Sequence, residues 1–119
     1  EFQDIEFGLP IARKLADMEI GQTLVVKNKS VIAVEAFEGT DKAIRRGCEL
    51  AKGNCVVIKV SRTNQDYRYD SPGIGPQTIS TLIAGGASVL ALEAERVMAV
   101  EQEQVTKMAD EAQLSVICI

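Results

Sequence analysis

Sliding the sequence along itself by 66 positions lays Pro76 on Pro10, Leu90 on Leu24, and Val97-Met-Ala-Val-Glu101 on Val31-Ile-Ala-Val-Glu35, without a gap. In-register self-similarity of this kind marks duplication of a supersecondary unit. Each copy reads helix, strand, strand, helix, strand. In the first, Pro10 to Asp17 forms a helix with Pro in its first turn, and Gly21 closes it. Thr23–Val26 and Val31–Val34 form a hairpin around a polar turn, and Thr40-Asp41 open a helix that Gly53-Asn54 stop. Cys55–Val60 is a strand apolar enough for burial on both faces. The second copy runs through a helix from Pro76 to Ala84, a hairpin of Val89–Leu92 with Val97–Val100, a helix over 104–113 and a strand over 114–119. The pattern predicts an α/β fold with a mixed sheet of about six strands and about four helices. Its two pseudo-repeated α-β-β-α-β units should superpose about a twofold axis.

A chain of 119 residues, 46% apolar, suffices for one domain with its own core, read over 1–119. With no Trp, three Phe and two Tyr, that core is aliphatic. A net charge of −4 argues against a nucleic-acid surface, which needs clustered cations. Three cysteines without C-x-x-C spacing read as reduced thiols. No apolar run reaches the ~18 residues of a membrane span, and no leader opens the chain, so the expected location is cytoplasmic. Because Glu1 stands where a Met would begin a whole protein, a fragment of a longer chain is expected. Histidine is absent. Chemistry here falls to carboxylates and cations, and any metal should be a hard ion held through oxygen.

The two copies are joined by the most polar stretch of the chain, Lys59-Val-Ser-Arg62-Thr-Asn-Gln65-Asp66-Tyr-Arg68-Tyr-Asp70-Ser-Pro72-Gly-Ile-Gly75-Pro76. Connections in compact domains usually take about 4–6 residues, so this one asks for a function. If extended, Asp66, Arg68 and Asp70 share one side. Two carboxylates flanking a guanidinium suit Mg²⁺ and a substrate phosphate together, with Lys59 and Arg62 upstream; a solvated ion-pair ladder is the plainer alternative. Gly73-Ile-Gly75-Pro76, with Thr78 in the helix it opens, offers backbone N–H groups to an anion, though such a sequence more often marks only a turn. Glu38-Gly39-Thr40-Asp41 lies where a strand turns into a helix, a common ligand position in α/β sheets. The commoner role for Asp41 is a helix cap or first-turn acid, with Arg45 one turn on as a simple pairing partner.

Taken together, Asp4-Ile-Glu-Phe7-Gly8, Ile20-Gly21-Gln22, Ala33-Val-Glu35-Ala36, Glu38-Gly39-Thr40-Asp41 with Arg45, and Lys59…Gln65-Asp66-x-Arg68-x-Asp70-x-Pro72-x-Ile-Gly75-x-x-Thr78 resemble the C-terminal domain of the LpxI-type UDP-2,3-diacylglucosamine pyrophosphatases. The resemblance runs over essentially the whole chain. It implies a preceding Rossmann-like N-terminal domain and Mg²⁺-dependent hydrolysis of UDP-2,3-diacylglucosamine to lipid X and UMP in Gram-negative lipid A synthesis. It also implies an active site of Asp66, Arg68 and Asp70, with Lys59 and Gln65 beside them and Glu38, Thr40 and Asp41 as further candidates, and it leaves open which carboxylate holds the metal and which orients water. Joined to the reading of the residues, the metal candidates are Asp66, Asp70 and Asp41, and the substrate contacts Lys59, Arg62, Gln65, Glu38, Thr40, Gly75 and Thr78. Ser71 replaces the family's usual Leu, and Glu95 a usual Gly; neither change touches a charged motif residue.

A lipid-linked nucleotide-sugar substrate adds peripheral contact with the inner membrane to the expected partners, beside the N-terminal domain and a second copy of the chain. The competing readings are a non-catalytic nucleotide-sugar or phospholipid-binding module and a dimerisation domain.

Overall fold

The computed structural model describes residues 2–60, 73–74, 76–93, 98–99 and 102–118. In chain order the elements are α1 (Phe2–Asp17), β1 (Thr23–Lys27), β2 (Ser30–Val34), α2 (Thr40–Ala51), β3 (Val56–Lys59), β4 (Gly73–Ile74), α3 (Pro76–Gly85), β5 (Val89–Leu92), β6 (Met98–Ala99), α4 (Gln102–Ala112) and β7 (Ser115–Cys118). The four helices and the α/β class are as expected. The main sheet has five strands in the order β2-β1-β3-β5-β7, and β4 pairs with β6 in a separate two-stranded sheet.

Period-two alternation divides the core into two layers. Val25, Val57 and Leu90 face one side, packing with Ile44, Cys48, Ile79, Leu82 and Ala109 of α2, α3 and α4. Leu24, Val26, Val56, Ile58, Val89 and Ala91 face the other, against Ile5, Ala12 and Ala16 of α1. The four residues of β3 are all buried, the two-faced burial its apolar run predicts.

Two expectations are corrected. The first helix does not start at Pro10; it begins at Phe2 and carries Pro10 inside it. Pro10 can give no N–H to the turn before it, but the apolar face continues upstream through Ile5, and this packing holds the helix together. Gly8 brings the helix close to the sheet, since a Cβ there would lie 2.6 Å from Ile58 Cδ1 and 2.9 Å from Val26 Cγ2.

The second correction concerns the twofold. The order of elements recurs in the two halves, but their pairing does not. β1 forms the expected hairpin with β2 and runs antiparallel to β3. Its counterpart β5 lies parallel between β3 and β7. With both edges of β5 taken, β6 has no place beside it and pairs in parallel with β4 instead. The second hairpin is therefore not formed, and the halves do not share a strand order.

One consequence positions everything that follows. Because β1 alone runs against the others, β2, β3, β5 and β7 all end at the same edge, where β1 begins and from which α2 and α3 depart. This is the carboxyl edge, the usual ligand side of an open α/β sheet.

Candidate functional site

Lys59 is the last residue of β3 and only 5% exposed. Its backbone is pinned on both sides: Thr23 lies opposite it on β1, and Glu93 N–H donates to its carbonyl at 3.2 Å. The alternation that buries Val57 toward α2 sends Lys59 the same way, and its Nζ donates to Thr40 Oγ1 at 2.9 Å. Thr40 is the first residue of α2. Its oxygen also lies 3.5 Å from Thr23 Oγ1, and its hydroxyl donates to Glu35 Oε1 at 3.3 Å.

The next residue, Asp41, is the first-turn acid that the sequence suggested, but not the helix cap. The cap position of α2 is Gly39, with no side-chain cap bond. The cation that pairs at this end of the helix is Arg46 rather than Arg45. Asp41 instead reaches across to α3, where Thr78 Oγ1 donates to its Oδ1 at 2.8 Å. The heads of α2 and α3 are thus tied together beside a buried ammonium. Helix N-termini carry partial positive charge and free N–H groups.

Glu38 is placed differently. Its carboxylate takes Arg46 Nη2 at 2.6 Å and Nε at 3.3 Å, while Arg46 also donates to the Val34 carbonyl at 3.0 Å. The bond from Arg46 holds the Glu38 carboxyl below the usual carboxylate range. Glu38 braces the β2–α2 connection and is not joined to the Lys59 cluster. Of the other residues singled out in the sequence, Arg62, Gln65, Asp66, Arg68, Asp70 and Gly75 lie outside the described residues, as does the 61–72 connection, which leaves from this same edge one residue beyond Val60.

The donor atoms here suit a hard cation. Asp41 and Thr78 offer carboxylate and hydroxyl oxygens, with no imidazole anywhere in the chain, and Mg²⁺ needs only one or two carboxylates when phosphate oxygens complete its shell. Among the described residues no three acidic or thiol side chains gather into a metal site.

Glu35 is the residue that reading the sequence as chemistry missed. Its Oε1 accepts both the Thr40 hydroxyl and the Gln22 backbone N–H, each at 3.3 Å, and its own N–H donates to the Thr23 carbonyl at 2.9 Å. Gly21 lies flat against it, since a Cβ there would fall 1.9 Å from the Glu35 carbonyl oxygen. Its presence beside Gly21-Gln22 among the quoted motifs was the available signal. Glu93 is a second surprise, on the opposite face of the same edge. One of its oxygens takes Arg13 Nε of α1 at 3.1 Å, and the other is buried without a partner among the described residues.

A buried lysine at the end of a central strand, with two helix heads tied beside it, gives an α/β domain with a polar cluster at its carboxyl edge. The chain matches the family model described as the LpxI C-terminal domain over residues 1–117, and it belongs to that family. It is similar to a protein of Caulobacter vibrioides named UDP-2,3-diacylglucosamine pyrophosphatase LpxI, with 36% identity over 122 aligned residues. That alignment covers 96% of this chain and 44% of the relative, so the chain spans less than half the relative's length.

Proposed function

We propose that the protein carrying this domain hydrolyses the pyrophosphate bond of UDP-2,3-diacylglucosamine, giving lipid X and UMP on the way to lipid A. The observation that carries this reading is the 36% identity, along nearly the whole chain, to a protein named for that activity. The carboxyl-edge cluster supports it from the side of chemistry. Splitting a pyrophosphate requires alignment and neutralisation of charge more than a covalent intermediate, so a site without histidine is adequate.

In this reading the substrate's phosphates approach the heads of α2 and α3. The Lys59 ammonium draws charge from the bridging and terminal oxygens, and Thr78 keeps the Asp41 carboxylate turned toward the site. Arg62, Gln65, Arg68 and the backbone of Gly75 would contact the phosphates. Asp66 and Asp70 orient a water on the α-phosphorus; its oxygen joins UMP, the bond to the bridging oxygen breaks toward lipid X, and the released proton passes to a carboxylate or solvent. Asp41, Asp66 and Asp70 would hold Mg²⁺, which when bound supplies neutralisation of the pyrophosphate charge.

Two exposed apolar side chains suit the acylated half of such a substrate. Met18 is 67% exposed and Phe37 fully so. They follow α1 and β2 at the carboxyl edge, where the neighbouring residues Ile20, Gly21, Gln22, Glu35 and Ala36 line a shared cavity of about 180 Å³. We place the protein in the cytoplasm, touching the inner membrane from which a diacylated substrate would come. No described helix is long and apolar enough to cross a membrane. An N-terminal domain of the same protein completes the site, and a homo-oligomer is compatible with it.

The test is UMP release by the full-length protein with and without Mg²⁺, and with Asp66→Ala. Mg²⁺-dependent turnover that Asp66→Ala abolishes is expected. Unimpaired release by Asp66→Ala would remove the catalytic assignment, and binding without turnover by the wild type would make this a nucleotide-sugar binding module.

A further inference from the structure

We infer that Glu35 is a positioning residue of this site, acting through the Thr40 hydroxyl on the Lys59 ammonium. What the ammonium does rests on the pyrophosphatase reading; how it is held does not.

The direction of the hydrogen bonds is forced. An ammonium has only protons to give, so in the 2.9 Å contact Thr40 must be the acceptor. Its own proton must then go elsewhere, and Glu35 Oε1, at 3.3 Å, receives it. The relay runs from Lys59 through Thr40 to a carboxylate and admits no reversal while the lysine is charged.

The end of the relay is the best-anchored part of the edge. The Glu35 side chain is held by the Gln22 N–H at 3.3 Å and its backbone by the Thr23 carbonyl at 2.9 Å, with Gly21 against its carbonyl. Thr23 lies directly opposite Lys59 in the sheet, so both ends of the relay are referred to one pair of strands.

The electrostatics give the arrangement a purpose. A cation buried beside the head of a helix faces the positive end of its dipole and loses hydration as well. An anion one hydroxyl away offsets both. It acts through Thr40 rather than by direct contact with the ammonium. A fixed, charged donor is what electrostatic preorganisation requires.

The experiment uses the full-length protein with Glu35→Ala, Glu35→Gln, Thr40→Val and Thr40→Ser. Two readouts are taken: UMP release, and the lysine-ammonium proton signals in nitrogen-15 NMR, with the Lys59 signal assigned by its loss in Lys59→Arg. Turnover should fall about 10-fold to 100-fold in Thr40→Val and Glu35→Ala, the usual cost of losing a group that orients a ligand-binding side chain. Thr40→Ser should recover most of what Thr40→Val loses, since it restores the hydroxyl. The Lys59 signal should be slow to exchange in the wild type and Thr40→Ser, and broadened or shifted in Thr40→Val and Glu35→Ala. Glu35→Gln keeps an acceptor oxygen but not the charge, and serves in place of Glu35→Ala should the latter not fold; its signal should shift as well. Turnover and signal both unchanged in the Glu35 variants would overturn the inference. A wild type that releases no UMP while its Lys59 signal follows the variants as described would overturn the pyrophosphatase reading and leave the positioning role standing.

Discussion

Two strands of the sheet end in lysine, and the two lysines meet opposite surroundings. Lys27 closes β1 and Lys59 closes β3; since these strands are antiparallel neighbours, the side chains leave the sheet at opposite edges. Lys27 Nζ donates to the carbonyls of Ala51 at 2.6 Å and Gly53 at 3.1 Å, where α2 ends. A cation on the negative end of a helix dipole, bonded to carbonyls that have no partner within the helix, is an ordinary stabilising device. Lys59 lies at the other end of the same helix, where the dipole opposes it, bonded to a hydroxyl that leads to a carboxylate. The comparison separates a lysine on the negative end of a helix from one beside its positive end, held by a hydroxyl that leads to a carboxylate.

The differences between the edges can be probed in order of expected effect. Asp41→Asn should lower turnover by about 10-fold to 100-fold, the range in which metal sites feel the loss of one oriented oxygen group. Its stability should hardly change, because the amide oxygen still accepts from Thr78; a matching loss of stability in thermal melts would make Asp41 structural, like Lys27 on the far edge. Gly21→Ala should destabilise by about 1–3 kcal/mol in urea unfolding, since the added methyl meets backbone rather than a yielding side chain. Lys27→Met should cost about 1 kcal/mol of stability and leave UMP release alone.

The smallest effect expected is at Glu38. Its carboxyl is lowered from 4.5 by Arg46, so the pair contributes stability above pH 4.5 that is lost as pH falls through the lowered folded-state value. Both partners are substantially exposed, which keeps that contribution slight. Glu38→Gln should lower stability slightly at neutral pH and leave it unchanged at low pH, so that the acid limb flattens a little in urea unfolding.

Much of the fold was legible because apolar runs and punctuation carry it. The burial of β3 on both faces follows from its composition, and the stop at Gly53-Asn54 from turn chemistry. Pairing was not legible, because whether β5 accepts β6 or β7 as a neighbour is decided by competition between distant segments, and strands of Val, Leu and Ala look alike to any partner. Pro10 misled for a related reason: a breaker marks a local cost, and the packing of Ile5 and Gly8 on the sheet outweighs it. At the site, Lys59, Thr40, Asp41 and Thr78 were each named from the sequence, yet their two contacts depend on how α2 seats against β3 and against α3. Glu35 was overlooked as chemistry because it stood in the matched strand copy, where Glu35 and Glu101 seemed a feature of the repeat.

The comparison of the two lysines leads to the most direct test. UMP release from UDP-2,3-diacylglucosamine should be measured for the full-length protein carrying Lys59→Met and, separately, Lys27→Met. The account predicts a loss on the order of 10²-fold or more for Lys59→Met, the cost of removing one preorganised charge from the reacting group, and wild-type turnover for Lys27→Met. Equal turnover in the two variants, whether both retained or both lost, would contradict it.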